Sequence, residues 1–327
     1  MAIGSGLSAQ LGVKAESTYG TPVTVDRFYE FTDESLKLDV ARLESKAIRS
    51  GARVLRSDRW ASGKRVCGGS VGLELTNKSF GLLFTHMFGA VATTQPSAGP
   101  DPTVYDHTFT PGDLAGKMLT TQVGRPDIGG TVRPFTYHGC KVAGFEISGK
   151  VDEIAGVKLD LVAEDEDTST GLATVTYPAT LSLLTFVQGT LTVAGAAVSV
   201  REATVKGDNG LKSGRHFLGS ALTKEPLEAA LRGYTGSLDA DFESLTAYNR
   251  YVDGTEAALV LLFQGAIIST TLRYQLQVTC NVRFDGETPQ VKNVDMIPLS
   301  LPFTCLDSGA GGGSAITAVY RTTDVTP

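Results

Sequence analysis

Four histidines, four cysteines and a scatter of carboxylates are the residues of this 327-residue chain able to attack, shuttle a proton or hold a metal. Their company argues against all three. His86 sits in an apolar run, His107 beside a loop, His138 next to Gly139 and Cys140, and His216 in a polar stretch, so no nucleophile, base and orienting group cluster in sequence. Cys67, Cys140, Cys280 and Cys305 lie far apart without a CxxC pair, which points to free thiols in a reducing compartment, not to a zinc or redox site. In "HGC" a Cys/His pair is the sharper reading and a core thiol at Cys140 the favoured one. "ASGKR" places Arg65 where a phosphate-binding loop needs Ser or Thr for magnesium. "GDNGLKSGR" and "GRPDIGG" read as turns, and no HExxH or EF-hand pattern occurs. The expectation is a chain that is not an enzyme and has no cofactor and no metal.

What remains is the chemistry of charge. The net charge of -6 and pI near 5.3 exclude a protein that grips nucleic acid through Lys and Arg. "MAIGSGLSAQLGVKAE" lacks the basic and apolar regions of a signal peptide, and no apolar run nears the ~18 residues of a membrane helix. Synthesis and retention in a cytosol are expected, unless a larger assembly carries the protein out.

The charges must be positioned mainly by strands. Gly is abundant, at 37 residues, and β-branched and aromatic residues are spread evenly without a long helical stripe. In "GSVGLEL" Val71, Leu73 and Leu75 point one way and Ser70, Gly72 and Glu74 the other. "KVAGFEISGKV" alternates likewise, with Ala143, Phe145 and Ile147 inside; so does "AGVKLDLVAEDED", with Val157, Leu159 and Leu161 inside. "FGLLFTHMF" changes period, putting Phe80, Leu83, Phe84 and Met87 on one face of a short helix that Gly89 would cap. Residues 44–66 read as a long polar loop or extended hairpin.

The order of elements then begins again. "GSLDADF" replaces "GSVGLEL", "SLTAYNRYV" replaces the helix, "LLTFVQGTLTVAGAAV" stands for "RFYEFTDESLKLDV", and residues 207–227 stand for the polar loop. A tandem duplication follows: an N-terminal arm at 1–26, a first β domain at 27–165, a linker at 166–182 and a second β domain with a C-terminal extension at 183–327. The arm, with few large apolar residues, is expected to order only against a neighbour, and the same applies to the strand-like "AITAVYRT" after its Gly-rich hinge.

The wording "GLSAQLGVKAESTYGTPVTVDRFYEFTDESL", "LESKAIRSGARVLR", "PFTYHGCKVAGFEISGKVDEIAGVKLDLVAEDED" and "AITAVYRTTD" resembles the tail tube (major tail) proteins of long-tailed bacteriophages, particularly those of actinobacterial phages. The resemblance spans nearly the whole chain. It implies a structural virion protein of the phage tail, assembled in the host cytoplasm, with a mainly β fold: a β-sandwich flanked by one short helix. Six such folds close a ring lined by a β-barrel, and rings stack into a tube. With two folds per chain, a trimeric pseudo-hexameric ring is favoured over a hexameric one. Tape-measure, tail-terminator and distal tail proteins are the partners the family implies.

Duplex DNA must pass without being held, which calls for an acidic wall. Glu74, Glu146, Asp160, Asp239, Asp241 and Asp295 are the polar-face acids expected to line it, with Lys150 and Lys158 as exceptions; an ordinary solvated outer face is the alternative. The loops carry Arg49, Arg53, Arg56, Arg59 and Arg65, then Lys206, Lys212, Arg215 and Lys224, expected at contacts between rings or subunits, with Trp60 as an anchor. A two-domain β-sandwich binding module for carbohydrate or a receptor is the rival reading, and a single Trp gives it little aromatic platform.

Overall fold

The computed structural model describes residues 4–286, 288–291, 294, 296–309 and 314–327; Asp295 lies outside the described residues. The first half contains β1 (Gln10–Ala15), β2 (Arg27–Tyr29), β3 (Phe31–Glu34), β4 (Lys37–Glu44) and β5 (Trp60–Glu74). Helix α1 (Gly81–Phe88) leads into β6 (Gly89–Thr94), β7 (Tyr105–Pro111) and β8 (Leu119–Pro126), then β9 (Val132–Lys150), β10 (Gly156–Ala163) and β11 (Asp165–Asp167). The second half adds β12 (Gly189–Val193), β13 (Ala196–Ala197), β14 (Val200–Asp208), β15 (Leu211–Lys212), β16 (Leu227–Glu228) and β17 (Gly233–Asp241). Helix α2 (Leu245–Asp253), β18 (Ala257–Ser269), β19 (Leu272–Phe284), β20 (Pro298–Cys305) and β21 (Ile316–Thr322) complete it.

Alternation along β5, β10 and β9 buries Val71, Leu73, Val157, Leu159, Phe145 and Ile147 on one face of an antiparallel sheet. Strands β3 and β4 lie end to end against β5, β5 pairs with β10, and β10 with β9. The second half has the same order: β14 pairs with β17, β17 with β20, and β20 with β19 over three residues. The register is also the same. Gly69 faces Leu161, Val71 faces Leu159 and Leu73 faces Val157; Gly236 faces Phe303, Leu238 faces Leu301 and Ala240 faces Leu299. The two units are joined edge to edge, because β9 pairs with β14 from Gly144↔Asp208 to Lys150↔Glu202. One continuous sheet therefore crosses both halves.

A second layer covers the apolar face. In the first unit it runs β2, β1, β8, the N-terminal part of β9 and β11. In the second it runs β13, β12, β18, β19 and β21, extended by the β6–β7 hairpin of the first unit. Helix α1 closes the core with Leu83, Phe84, Met87 and Phe88, the Phe84 ring tilted against Phe109 at 5.5 Å and the Phe88 ring against Phe145 at 5.1 Å.

Several expectations need correcting. The segment read as an arm supplies β1, buried between β2 and β8 of its own chain, and "AITAVYRT" is β21, held between β19 and β7. Neither waits for a neighbour, because each finds two backbone partners within the chain. "GTLTV" corresponds to β1, since both pair with the strand before the long β9 or β19; the partner of "LKLD" at 36–39 is "VKGD" at 205–208. A bulge opposite Asp160 and Leu161 puts Val142, not Ala143, in line with Phe145 inside. Residues 44–66 form the hairpin alternative, Glu44 pairing with Trp60.

Candidate assembly surfaces

The residues with catalytic chemistry are dispersed into packing. Cys140 is fully buried, and burial raises its thiol pKa; that of Cys67 is pushed up to about 12 for the same reason. His138 and Cys140 are parted by Gly139 at φ +63, where a bulge in β9 turns His138 towards Glu164, 3.4 Å away. Glu16 accepts from Thr120 Oγ1 and the Gly139 amide, both at 2.8 Å, which fastens the N-terminal segment to the sheet. His86 Nδ1 lies 2.9 Å from Leu82 O within α1, and burial pushes its pKa down to about 4. His107 lies between Thr93 Oγ1 and Asp324 O. Among the described residues no three His, Cys, Asp or Glu side chains are grouped to hold a metal. A cavity of about 310 Å³ beside the seam is lined by Phe186, Leu191, Val198, Val200, Leu261 and Phe263, with Lys150 and Arg201 at its rim.

The polar face of the long sheet gathers most of the acids singled out in sequence. Glu146, Asp160 and Asp239 project from β9, β10 and β17, Glu74 and Asp241 end β5 and β17, and Glu74↔Gly156 matches Asp241↔Pro298 in register. Two of these acids are neutralised locally. Lys206 Nζ stands 3.0 Å from Glu146 Oε2 across the seam, and Arg201 Nη2 stands 2.7 Å from Asp241 Oδ1. Lys158 lies opposite Glu146 on its other side, so the row Lys158, Glu146, Lys206 alternates in sign across three strands. Lys150 turns to Glu153 at 3.1 Å. The strands also bring in Glu202 and Asp208, which sequence reasoning missed. A signal for Asp208 was present, because Lys206-Gly-Asp208 repeats Lys37-Leu-Asp39 at the same register. Carboxylates remain in excess on this face, with Glu74, Asp160 and Asp239 outside the ion pairs of the described residues.

The two basic loops differ in placement. Residues 45–59 extend from the β4–β5 hairpin and are exposed throughout, carrying Arg49, Arg53, Arg56 and Arg59; Trp60 at its base is half-exposed under the Arg42 guanidinium. Arg65 folds inward to Asp165 at 2.6 Å. The second loop, residues 209–232, lies back over the first unit. Lys141, buried, pairs with Glu225 at 2.6 Å, Arg215 Nη1 donates to Glu225 O at 2.5 Å, and the Arg65 amide donates to Ala221 O. Lys212 sits on the short β15–β16 ladder, exposed, and Lys224 Nζ lies 5.5 Å over the Phe217 ring. Arg65 and Arg215 are therefore occupied within the chain, their guanidinium groups satisfied by nearby oxygen atoms.

A two-unit sheet with a charged face, open strand edges and a projecting hairpin defines a structural β protein that works through its surfaces. The chain belongs to the phage tail tube protein family, whose model matches residues 6–305. No curated protein matches it. It is accordingly a structural component of the virion tail.

Proposed function

We propose that three copies of this chain close one ring and that stacked rings form the tail tube through which DNA leaves. The observation that carries this reading is the β9–β14 seam, where two equivalent units meet by backbone pairing inside one chain. Among the described residues both ends of the resulting sheet are open. Among the described residues strands β3 and β4 pair only with β5, and on the outer side of β20 the Asp285 amide donates to Pro302 O where β19 parts from it. Strand addition at such an edge supplies main-chain hydrogen bonds, and a head-to-tail contact that repeats by rotation closes a ring. Entry of the next copy's β4 at the β19–β20 end would repeat the step that β14 makes at β9.

In that ring the two duplicated β domains, 27–165 and 183–327, act as two tube folds per chain. The polar face of the long sheet becomes the wall of the conduit. Its carboxylate excess repels phosphates, and Lys206 and Arg201 on it are held by Glu146 and Asp241 instead of being free to retain duplex DNA. The projecting hairpin makes contacts between copies, assembly takes place in the host cytoplasm, and the tube's ends meet the tape-measure, terminator and distal tail proteins. A medium-resolution map of purified tubes tests the reading: three chains per ring, with the long sheet's polar face inward, are expected. Six chains per ring, or that face on the outside, would overturn it.

A further inference from the structure

We propose that the tip of the β4–β5 hairpin, residues 45–59, closes over helix α2 of the neighbouring copy in the same ring. The inference rests on the ring reading above and assigns the hairpin a specific landing site within it.

The first observation is what the equivalent segment does inside the chain. Gly69 and Gly236 share a register position, as do Asp39 and Asp208, so the β14–β17 connection at 209–232 is the second unit's counterpart of the hairpin. That connection closes over the end of α1. Asn209 Nδ2 donates to Met87 O at 3.1 Å and to Val142 O at 2.9 Å, and Arg232 Nη1 donates to Phe88 O at 2.9 Å. The bonds to Met87 O and Phe88 O satisfy carbonyls at the helix C-terminus that have no partner within the helix, and the bond to Val142 O ties the same connection to β9. Repeating the seam between copies puts the next copy's first unit where the second unit stands here. Its hairpin then replaces the 209–232 connection, and α2 replaces α1.

Secondly, among the described residues α2 is uncovered where α1 is covered. Leu83, Phe84, Met87 and Phe88 of α1 are at most 1% exposed, whereas Leu245 and Val252 of α2 are each 59% exposed. Leu245, Tyr248 and Val252 follow helical spacing and form one stripe. Tyr248 Oη lies 3.5 Å from Thr288 Oγ1 of the β19–β20 connection, which adds exposed Val291 and Val294. An apolar stripe of this kind marks a contact surface.

Thirdly, the hairpin tip has the matching chemistry. Ile48, Val54 and Leu55 are exposed on it, among Lys46, Arg49, Arg53, Arg56 and Arg59 with Asp58 as its one acid. Around α2 stand Glu243, Asp253 and Glu256, and the negative end of the helix dipole at Gly254 favours cations. Apolar side chains meet an apolar stripe, and guanidinium groups meet carboxylates and carbonyl oxygens.

The test pairs Val54→Cys with Val252→Cys in assembled tubes, oxidises them and counts chains on a non-reducing gel. The four native cysteines are buried and do not compete. A covalent ladder that stops at three chains is the expected result, and one that stops at six keeps the contact while removing the three-copy ring. A ladder that runs on along the tube, or tubes that form without any link, overturns the inference. Absence of rings from the unsubstituted chain is a separate outcome, seen beforehand by electron microscopy, and removes the ring reading itself. Should the double variant not assemble, carbodiimide treatment of unsubstituted tubes decides. Linkage of Lys46 to Glu243, Asp253 or Glu256 supports the contact, and its linkage only to other carboxylates, or to none, refutes it.

Discussion

Gly69 and Gly236 occupy the same register position in the two units, and each lies against the backbone carbonyl of the strand that enters its unit. A Cβ on Gly69 would lie 2.3 Å from Ser35 O, and one on Gly236 would lie 2.2 Å from Thr204 O. Ser35 and Thr204 are themselves equivalent, since Ser35 donates its amide to Ser70 O and Thr204 pairs with Ser237. The repeated "GS" thus marks one close strand approach used twice.

Alanine at either glycine should destabilise the fold. Relief would require moving a strand backbone, and overpacking of this kind costs about 1–3 kcal/mol. Urea denaturation of the unassembled chain measures it: Gly69→Ala and Gly236→Ala should each lower the midpoint, and an unchanged midpoint in both would show that the sheet yields at no cost.

Lys37 and Lys206 are the second equivalent pair. Lys206 already bonds Glu146 across the internal seam, whereas among the described residues Lys37, at the open edge, pairs only with Asp39 of its own strand at 3.0 Å. Lys206→Glu should cost the isolated chain up to about 1 kcal/mol, the scale of a surface pair turned into a like-charge contact. Lys37→Glu should leave that stability unchanged and raise the protein concentration needed for tube formation. Light scattering against concentration reads the second effect, and equal assembly of both variants would count against an inter-copy seam at β4.

His86 should make stability depend on acid. The unfolded chain binds this proton near pH 6.5, but the fold does not until about pH 4, because burial disfavours the imidazolium. Between those values the unfolded state holds more protons, so stability falls as pH falls, by about 3 kcal/mol over the whole interval. His86→Leu should remove this part of the slope. Denaturation curves at pH 7 and pH 4.5 for both chains test it, and parallel losses would assign the slope to other groups.

Asp239 and Asp241 bear on the conduit. Converting both to Lys places two cations on the polar face and leaves Arg201 without its 2.7 Å partner. Tubes should still form, because the backbone pairing of β17 is untouched, and genome ejection should slow with a strong dependence on salt. Ejection kinetics matching the parent phage at low salt would place this face away from DNA.

Local pattern alone made a good part of the molecule legible. The alternation in "GSVGLEL" gave that strand and its inward side chains, its likeness to "GSLDADF" gave the second strand, and the change of period at Phe80 gave α1 within one residue. Ala143 was misplaced, because a bulge shifts register without changing composition. The N-terminal segment looked unable to fold, since its stability comes from β8, a strand about a hundred residues away.

Composition and periodicity by themselves determined that the chain is mainly β, that its units repeat, and which residues each strand turns inward, because side-chain direction in a strand follows from position along it. Only the tertiary structure decided that β9 joins β14, that Glu146 and Asp241 are held by cations, and that Arg65 and Arg215 are occupied within the chain while the 45–59 hairpin stands free. Those facts depend on which distant strands share backbone hydrogen bonds. Any edge strand offers the same donors and acceptors, so its partner is chosen by the packed whole and not by its own residues.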